Sequence, residues 1–185
     1  MTADPASPST RRFDPERRER IIDACLHVLA RDGVAGTSHR RVAAEADVPL
    51  GSMTYHFAGM DELLTVAFDR FVDGAAADLD RRMEHATTPE QAQAAVVTAI
   101  DQDLIGARDL VITHELYTLA ARRPAYRAIT ERWMTRRRHA LQRHFDPITA
   151  RILDAMIEGL TLHRALDTRR GEADVTTSAI ERVIR

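Results

Sequence analysis

Residues 36–64 read GTSHRRVAAEADVPLGSMTYHFAGMDELL, and the reading of this stretch decides the fold. Ser38 is a good N-cap for a short helix that carries Val42, Ala43 and Ala46 to one side. Asp47-Val48-Pro49 breaks that helix, and a second short helix is expected over about 49–56. Asp47 stands where the turn calls for a left-handed residue, a conformation that Asp tolerates better than most. Two short helices across a tight break form a helix-turn-helix pattern. Ala43 is small enough to let them cross closely, and Val42, Val48, Met53 and Phe57 make a miniature core that holds the angle.

Outward from this stretch the chain reads as helix after helix. Upstream, Asp14-Pro15-Glu16 opens a helix expected over 14–32, with Ile21, Ile22, Cys25, Leu26 and Leu29 on one face and Gly33 closing it. Residues 1–13 read as a disordered tail carrying Arg11 and Arg12. Downstream, Leu63 to Leu79 mark a long fourth helix ending near Thr87-Thr88-Pro89, and Ala95 to Leu104 a fifth stopped near Gly106. Leu110 to Ala121 mark a sixth ended by Arg123-Pro124, and Tyr126 to Leu141 a seventh ended by Asp146-Pro147. An eighth is expected over 148–168 and a ninth over 174–184. The expected fold is all-α, about nine helices, with a DNA-binding domain over 14–60 and a larger domain over 61–185.

The quoted stretch resembles the signature of the TetR family of regulators. The matching residues are Gly36, Ser38, Val42, Ala43, Ala46, Val48, Gly51, Ser52, Met53, Tyr55, His56, Phe57, Asp61 or Glu62, Leu63 and Leu64. The resemblance implies a homodimeric repressor of a palindromic operator in double-stranded DNA, released by a small-molecule effector, with no cofactor. Arg40 matches a position that reaches a base edge, and arginine to guanine is the commonest specific contact. His39, Ser52, Tyr55 and His56 would hold phosphates, Ser38 would cap the first reading helix, and Leu50 and Thr54 would touch a thymine methyl. Gly51 would let the backbone approach the duplex. A solvated face for Arg40 and Arg41, and a packing role for Tyr55, are the plainer alternatives. The stretch departs from the family pattern at Asp47 for glycine, Pro49 for serine, Thr54 for tyrosine and Met60 for lysine. The last removes a phosphate charge, which Arg11, Arg12, Arg17 and Arg18 would offset.

The larger domain would carry the partner and effector surfaces. The eighth helix is apolar on more than one face, so one side packs on its own domain and the other on a twin subunit. Ile152, Met156, Ile157 and Leu160, with Ile180 and Val183 of the ninth helix, are expected at that interface. Asp101, His114, Tyr117, Trp133, Met134 and His163 lie on or beside apolar stripes and are the candidates for an effector pocket, or else ordinary core. The run Arg136-Arg137-Arg138 reads as a solvated helix face, or as a second nucleic-acid surface.

Composition bounds the alternatives. The formal charge is −2 with a pI near 6.4, so DNA affinity must come from local placement of charge. All 26 basic residues are arginine, an excess that compositional bias explains. No run approaches a membrane span, no signal-peptide pattern is present, and the single Cys25 cannot form an internal disulfide, which together predict a cytoplasmic protein. His114-Glu115 starts like a zinc-protease helix, but position 118 is Thr, and no phosphate-binding loop or Gly-x-Ser-x-Gly is present. An enzyme is therefore not expected. A helical interaction protein that has lost operator binding is the remaining competitor.

Overall fold

A computed structural model describes residues 14–101, 106–166 and 173–184. Nine helices are seen among the described residues: α1 Arg17–Gly36, α2 His39–Glu45, α3 Gly51–His56, α4 Met60–His85, α5 Pro89–Asp101, α6 Ala107–Arg122, α7 Pro124–Leu141, α8 Pro147–Leu166 and α9 Ala173–Ile184. Most boundaries follow the expected punctuation, with prolines at the starts of α5, α7 and α8 where a missing N–H costs nothing. The expected tail, with Arg11 and Arg12, and Leu104 at the end of the fifth helix lie outside the described residues.

Two boundaries differ in an informative way. The expected close of α1 at Gly33 is a break rather than an end, because the chain turns through φ 67, ψ 179 there and resumes a helical turn to Gly36. That conformation belongs almost wholly to glycine, and a side chain at Gly33 would also meet Glu115 of α6, whose Oε1 lies 2.5 Å from where a Cβ would stand. The fourth helix starts at Met60, three residues before Leu63, where the expected apolar stripe begins. The Glu62 carboxylate accepts the Ala58 N–H at 2.6 Å and so ties the first turn of the helix to the chain that enters it.

The helices enclose two cores. The first joins α1, α2, α3, the first half of α4, α6 and the first half of α7, through residues such as Leu29, Met53, Phe57, Phe68, Leu116 and Tyr126. The second joins the end of α4, α5, the end of α7, α8 and α9, through Met83, Ile100, Leu141, Leu153 and Ile180. The boundary expected at residue 60 therefore falls inside one continuous core. Arginines on α7 brace that helix to α4: Arg132 pairs with Asp69, and Arg136 reaches Asp73 at 3.2 Å and Asp80 at 3.0 Å.

Candidate nucleic-acid interface and effector site

The Ser38 side chain accepts the Arg41 N–H at 3.4 Å and starts α2, which Ala46 closes. Asp47 has φ 50, a positive value shared among the described residues only with Gly33, and this reverses the chain within the turn. The Val48 N–H then donates back to the Ala43 carbonyl at 3.0 Å, and the Pro49 carbonyl accepts the Ser52 N–H at 2.8 Å to open α3. Val42, Ala43, Met53 and Phe57 are buried beneath the pair. On the outer side, Leu50 is 53% exposed and Tyr55 84% exposed, and a Cβ at Gly51 would meet nothing within 4 Å. Tyr55 is thus no packing tyrosine; its ring meets that of His56 edge-on at 4.9 Å.

The two arginines of α2 separate. Arg41 donates to Asp32 at 3.1 Å and to the Gly36 carbonyl at 3.0 Å, tying α2 to the end of α1. Arg40 is exposed and pairs with no acid among the described residues. Ser52 and His56 are half-buried and Thr54 is exposed, its hydroxyl donating to the Gly51 carbonyl at 3.2 Å. His39 is half-buried with Nε2 turned in and without a hydrogen-bond partner among the described residues. Met60, where the family pattern has lysine, packs against the first core.

Of the expected effector residues, two meet. Tyr117 and Trp133 stack with ring centroids 6.2 Å apart, and Phe71 adds an edge at 6.1 Å. Asp101 is paired with Arg164, and His114 and His163 are exposed. The ring of His114 turns Nδ1 to its own helix at the Leu110 carbonyl. Met134 is half-buried. Arg137 corrects the reading of the arginine run. It is buried, donates to Asp154 at 2.7 Å and to Glu158 at 2.9 Å, and lies 5.1 Å over the Trp133 ring. Burial works against its charge, but the two carboxylates outweigh that and raise its pKa. Arg138 reaches the same Asp154 at 2.8 Å. The run is paired with acids of this chain, with Arg136 exposed and Arg137 buried, so the solvated face holds for its first member and not for Arg137. Its signal was helical spacing: Trp133, Arg137 and Leu141 share one stripe of α7, and Asp154 sits between Ala150 and Ile157 on the inward side of α8.

Burial and the neighbouring Glu158 carboxylate push the Tyr117 hydroxyl upward in pKa. Cys25, in the first core, has its thiol pushed up to about 12 by burial, as suits a small apolar filler rather than a nucleophile.

The expected partner surface needs one correction. Ile157 and Ile180 are buried in the second core of their own chain, which leaves them little surface to offer a partner. Met156, Leu160 and Val183 are half-buried, whereas Ile152 (44% exposed), Ile148, Leu166 and Val175 are open to solvent. Ile148, Ile152 and Leu166 fall on one stripe of α8 opposite Leu153 and Ile157.

A helix-turn-helix head merged with a larger helical body defines the class, a DNA-binding regulator. Residues 21–67 match the model for bacterial regulatory proteins of the tetR family, and residues 86–185 match a tetracyclin repressor-like C-terminal domain. The chain belongs to the TetR family, whose members are transcription factors and not enzymes. It is similar to the transcriptional regulator SCO7518 of Streptomyces coelicolor A3(2), at 52% identity over 92% of this chain and 99% of that one, with a TM-score of 0.83. The multidrug binding protein EbrR, solved with ethidium, is 38% identical over 92% of this chain and 99% of its own, with a TM-score of 0.77. An HTH-type regulator in the dhlA 5′ region of Xanthobacter autotrophicus is 36% identical over 66 residues, 32% of this chain. The chain spans about a third (33%) of that relative's length. Among the described residues no helix is long and apolar enough to cross a membrane.

Proposed function

We propose that this chain is a cytoplasmic repressor that binds a palindromic operator as a homodimer and is released by a small-molecule effector. The observation that carries the reading is the outer edge of the head, where Leu50, Gly51 and Tyr55 stand open beside an Arg40 that no acid of the described chain neutralises. Arg40 reads a guanine edge; Ser52, Tyr55 and His56 hold phosphates, and His39 offers Nδ1 to another. Leu50 and Thr54 meet a thymine methyl.

The exposed stripe of α8, with Ile148, Ile152 and Leu166, covers its twin in the second subunit. A two-fold pair of heads then addresses half-sites about 34–36 Å apart, one turn of the duplex. The effector binds at the seam between the two cores, where Tyr117 and Trp133 meet Arg137; a small-molecule ligand for this chain is supported by EbrR, which is solved with ethidium. α4 and α7 cross that seam, so a ligand wedged there tilts one core against the other and shifts the spacing of the heads. This requires tighter binding to the released state, and a coupling of about 1–3 kcal/mol changes operator affinity roughly 5–150-fold.

A mobility-shift assay on the DNA upstream of the chain's own gene tests the reading. Arg40→Ala should weaken specific binding by about 1–3 kcal/mol and relax one base preference, and a uniform loss on all sequences would make Arg40 a phosphate contact instead. No shift at low salt from a folded dimer would favour the helical interaction protein. Ile152→Glu should leave the fold intact and halve the mass in sedimentation; an unchanged mass would refute the α8 interface.

A further inference from the structure

Two polar atoms at the seam have no hydrogen-bond partner among the described residues: Trp133 Nε1 and Thr161 Oγ1. Trp133 and Thr161 are each only 5% exposed, and unmet groups of that burial are destabilising unless something else satisfies them. Both residues line one cavity of about 90 Å³, walled otherwise by apolar groups such as Leu79 and Ile157 and by the ion-paired Arg137 and Glu158. Trp133 also lines a separate cleft of about 390 Å³ between α4 and α7. The indole is therefore a partition between the two spaces. The inner one holds about three waters, at roughly 30 Å³ each, and is smaller than the roughly 150 Å³ cavity that takes benzene. The cleft alone already has the size of an ordinary ligand pocket, about 300–1,000 Å³, and a swing of Trp133 would add the inner space to it.

Charge at the seam is already matched. Arg137 holds Asp154 and Glu158, and Arg138 holds Asp154. A cation entering would contend with Arg137 for those carboxylates, and an anion would contend with the carboxylates for Arg137. Added net charge in a buried, balanced site is costly. A neutral molecule meets neither conflict.

Resting on the effector-site reading above, we infer that the seam takes an uncharged planar aromatic ligand with a hydrogen-bond acceptor. The ligand enters through the α4–α7 cleft, displaces Trp133 from its stack on Tyr117 and accepts the indole N–H, while Thr161 supplies a second polar contact. The Asp69–Arg132 and Asp73–Arg136 pairs flank the entrance.

Equilibrium dialysis of the full-length protein against three tricyclic probes tests this: acridone, which is neutral with a carbonyl acceptor, proflavin, a cation, and acridine-9-carboxylate, an anion. Acridone should bind at least tenfold more tightly than either charged probe. Trp133→Phe should weaken acridone about tenfold by removing the donor, the loss of roughly one hydrogen bond. Thr161→Val keeps the shape of the side chain and should weaken acridone severalfold while leaving the fold intact, so the test does not hang on the tryptophan variant folding. Tighter binding of proflavin, acridone binding indifferent to both variants, or no retention of any probe would each overturn the inference. A mobility shift on the same samples separates the failures. An intact operator complex without acridone binding removes the ligand class alone, whereas acridone binding with the expected variant response and no operator complex supports the inference and removes the regulator reading.

Discussion

Arg40 on α2 is exposed and without an acid partner among the described residues, whereas Arg137 on α7 is buried between two carboxylates. The side chains are chemically identical, and their circumstances assign them opposite tasks. Arg40 is open to solvent on the head, and no acid among the described residues takes its donors. The seam surrounds Arg137 with Asp154, Glu158 and the face of Trp133, so that its charge is used inside the chain. The same contrast separates Arg40 from its neighbour Arg41, which is tied down by Asp32. An arginine is a candidate for recognition where its own fold has left it unspent.

The comparison breaks most sharply at the seam. Arg137→Leu would strand two carboxylates in a buried setting and should destabilise the fold by about 3–5 kcal/mol, toward the lower figure because Arg138 still reaches Asp154. A urea unfolding midpoint that matches wild type would show that the seam is not held by this pairing. Arg40→Ala, by contrast, should leave that midpoint unchanged.

Gly33→Ala tests how firmly the head is joined to the body. The backbone at φ 67 costs a non-glycine residue about 1–3 kcal/mol, and the added methyl would press on the Glu115 carboxylate. Pairing it with Glu115→Ala should recover the steric part and leave the backbone part, as thermal unfolding of the two variants would read out.

The smallest effect belongs to Asp61, at the start of α4, whose carboxylate is held by both terminal nitrogens of Arg123 at 2.9 and 2.6 Å. Arg123 keeps the Asp61 pKa below the usual carboxylate range. The contribution is thus full above the unfolded-state value of about 3.9 and fades as pH falls through the folded value. Both groups are open to solvent, so Asp61→Asn should cost at most about 1 kcal/mol at neutral pH. The difference from wild type should vanish in acid, and a gap that persists there would assign the effect to packing instead.

Much of the helical order was legible because its signals are local. Asp47 at the turn, Ser38 before α2 and prolines at helix starts act through the chain within a few residues of themselves. The head was legible for the same reason, since its two crossed helices and their small core come from one continuous stretch. Less was legible at the seam. Helical spacing placed Tyr117 and Trp133 on apolar stripes, yet His114 and His163 shared that pattern and proved exposed. Arg137 looked like surface because it stood in a run of three arginines, and its partners lie on another helix.

The order of helices and the shape of the reading head therefore follow from the amino-acid string, through caps, turns and periodicity that span a turn or two. Tertiary structure alone decided that one core crosses residue 60, that Ile157 and Ile180 face inward, and that Arg137 closes an ion-paired seam. Those outcomes depend on which helix faces which, and burial and charge pairing between residues far apart in the chain become definite only when the helices have packed.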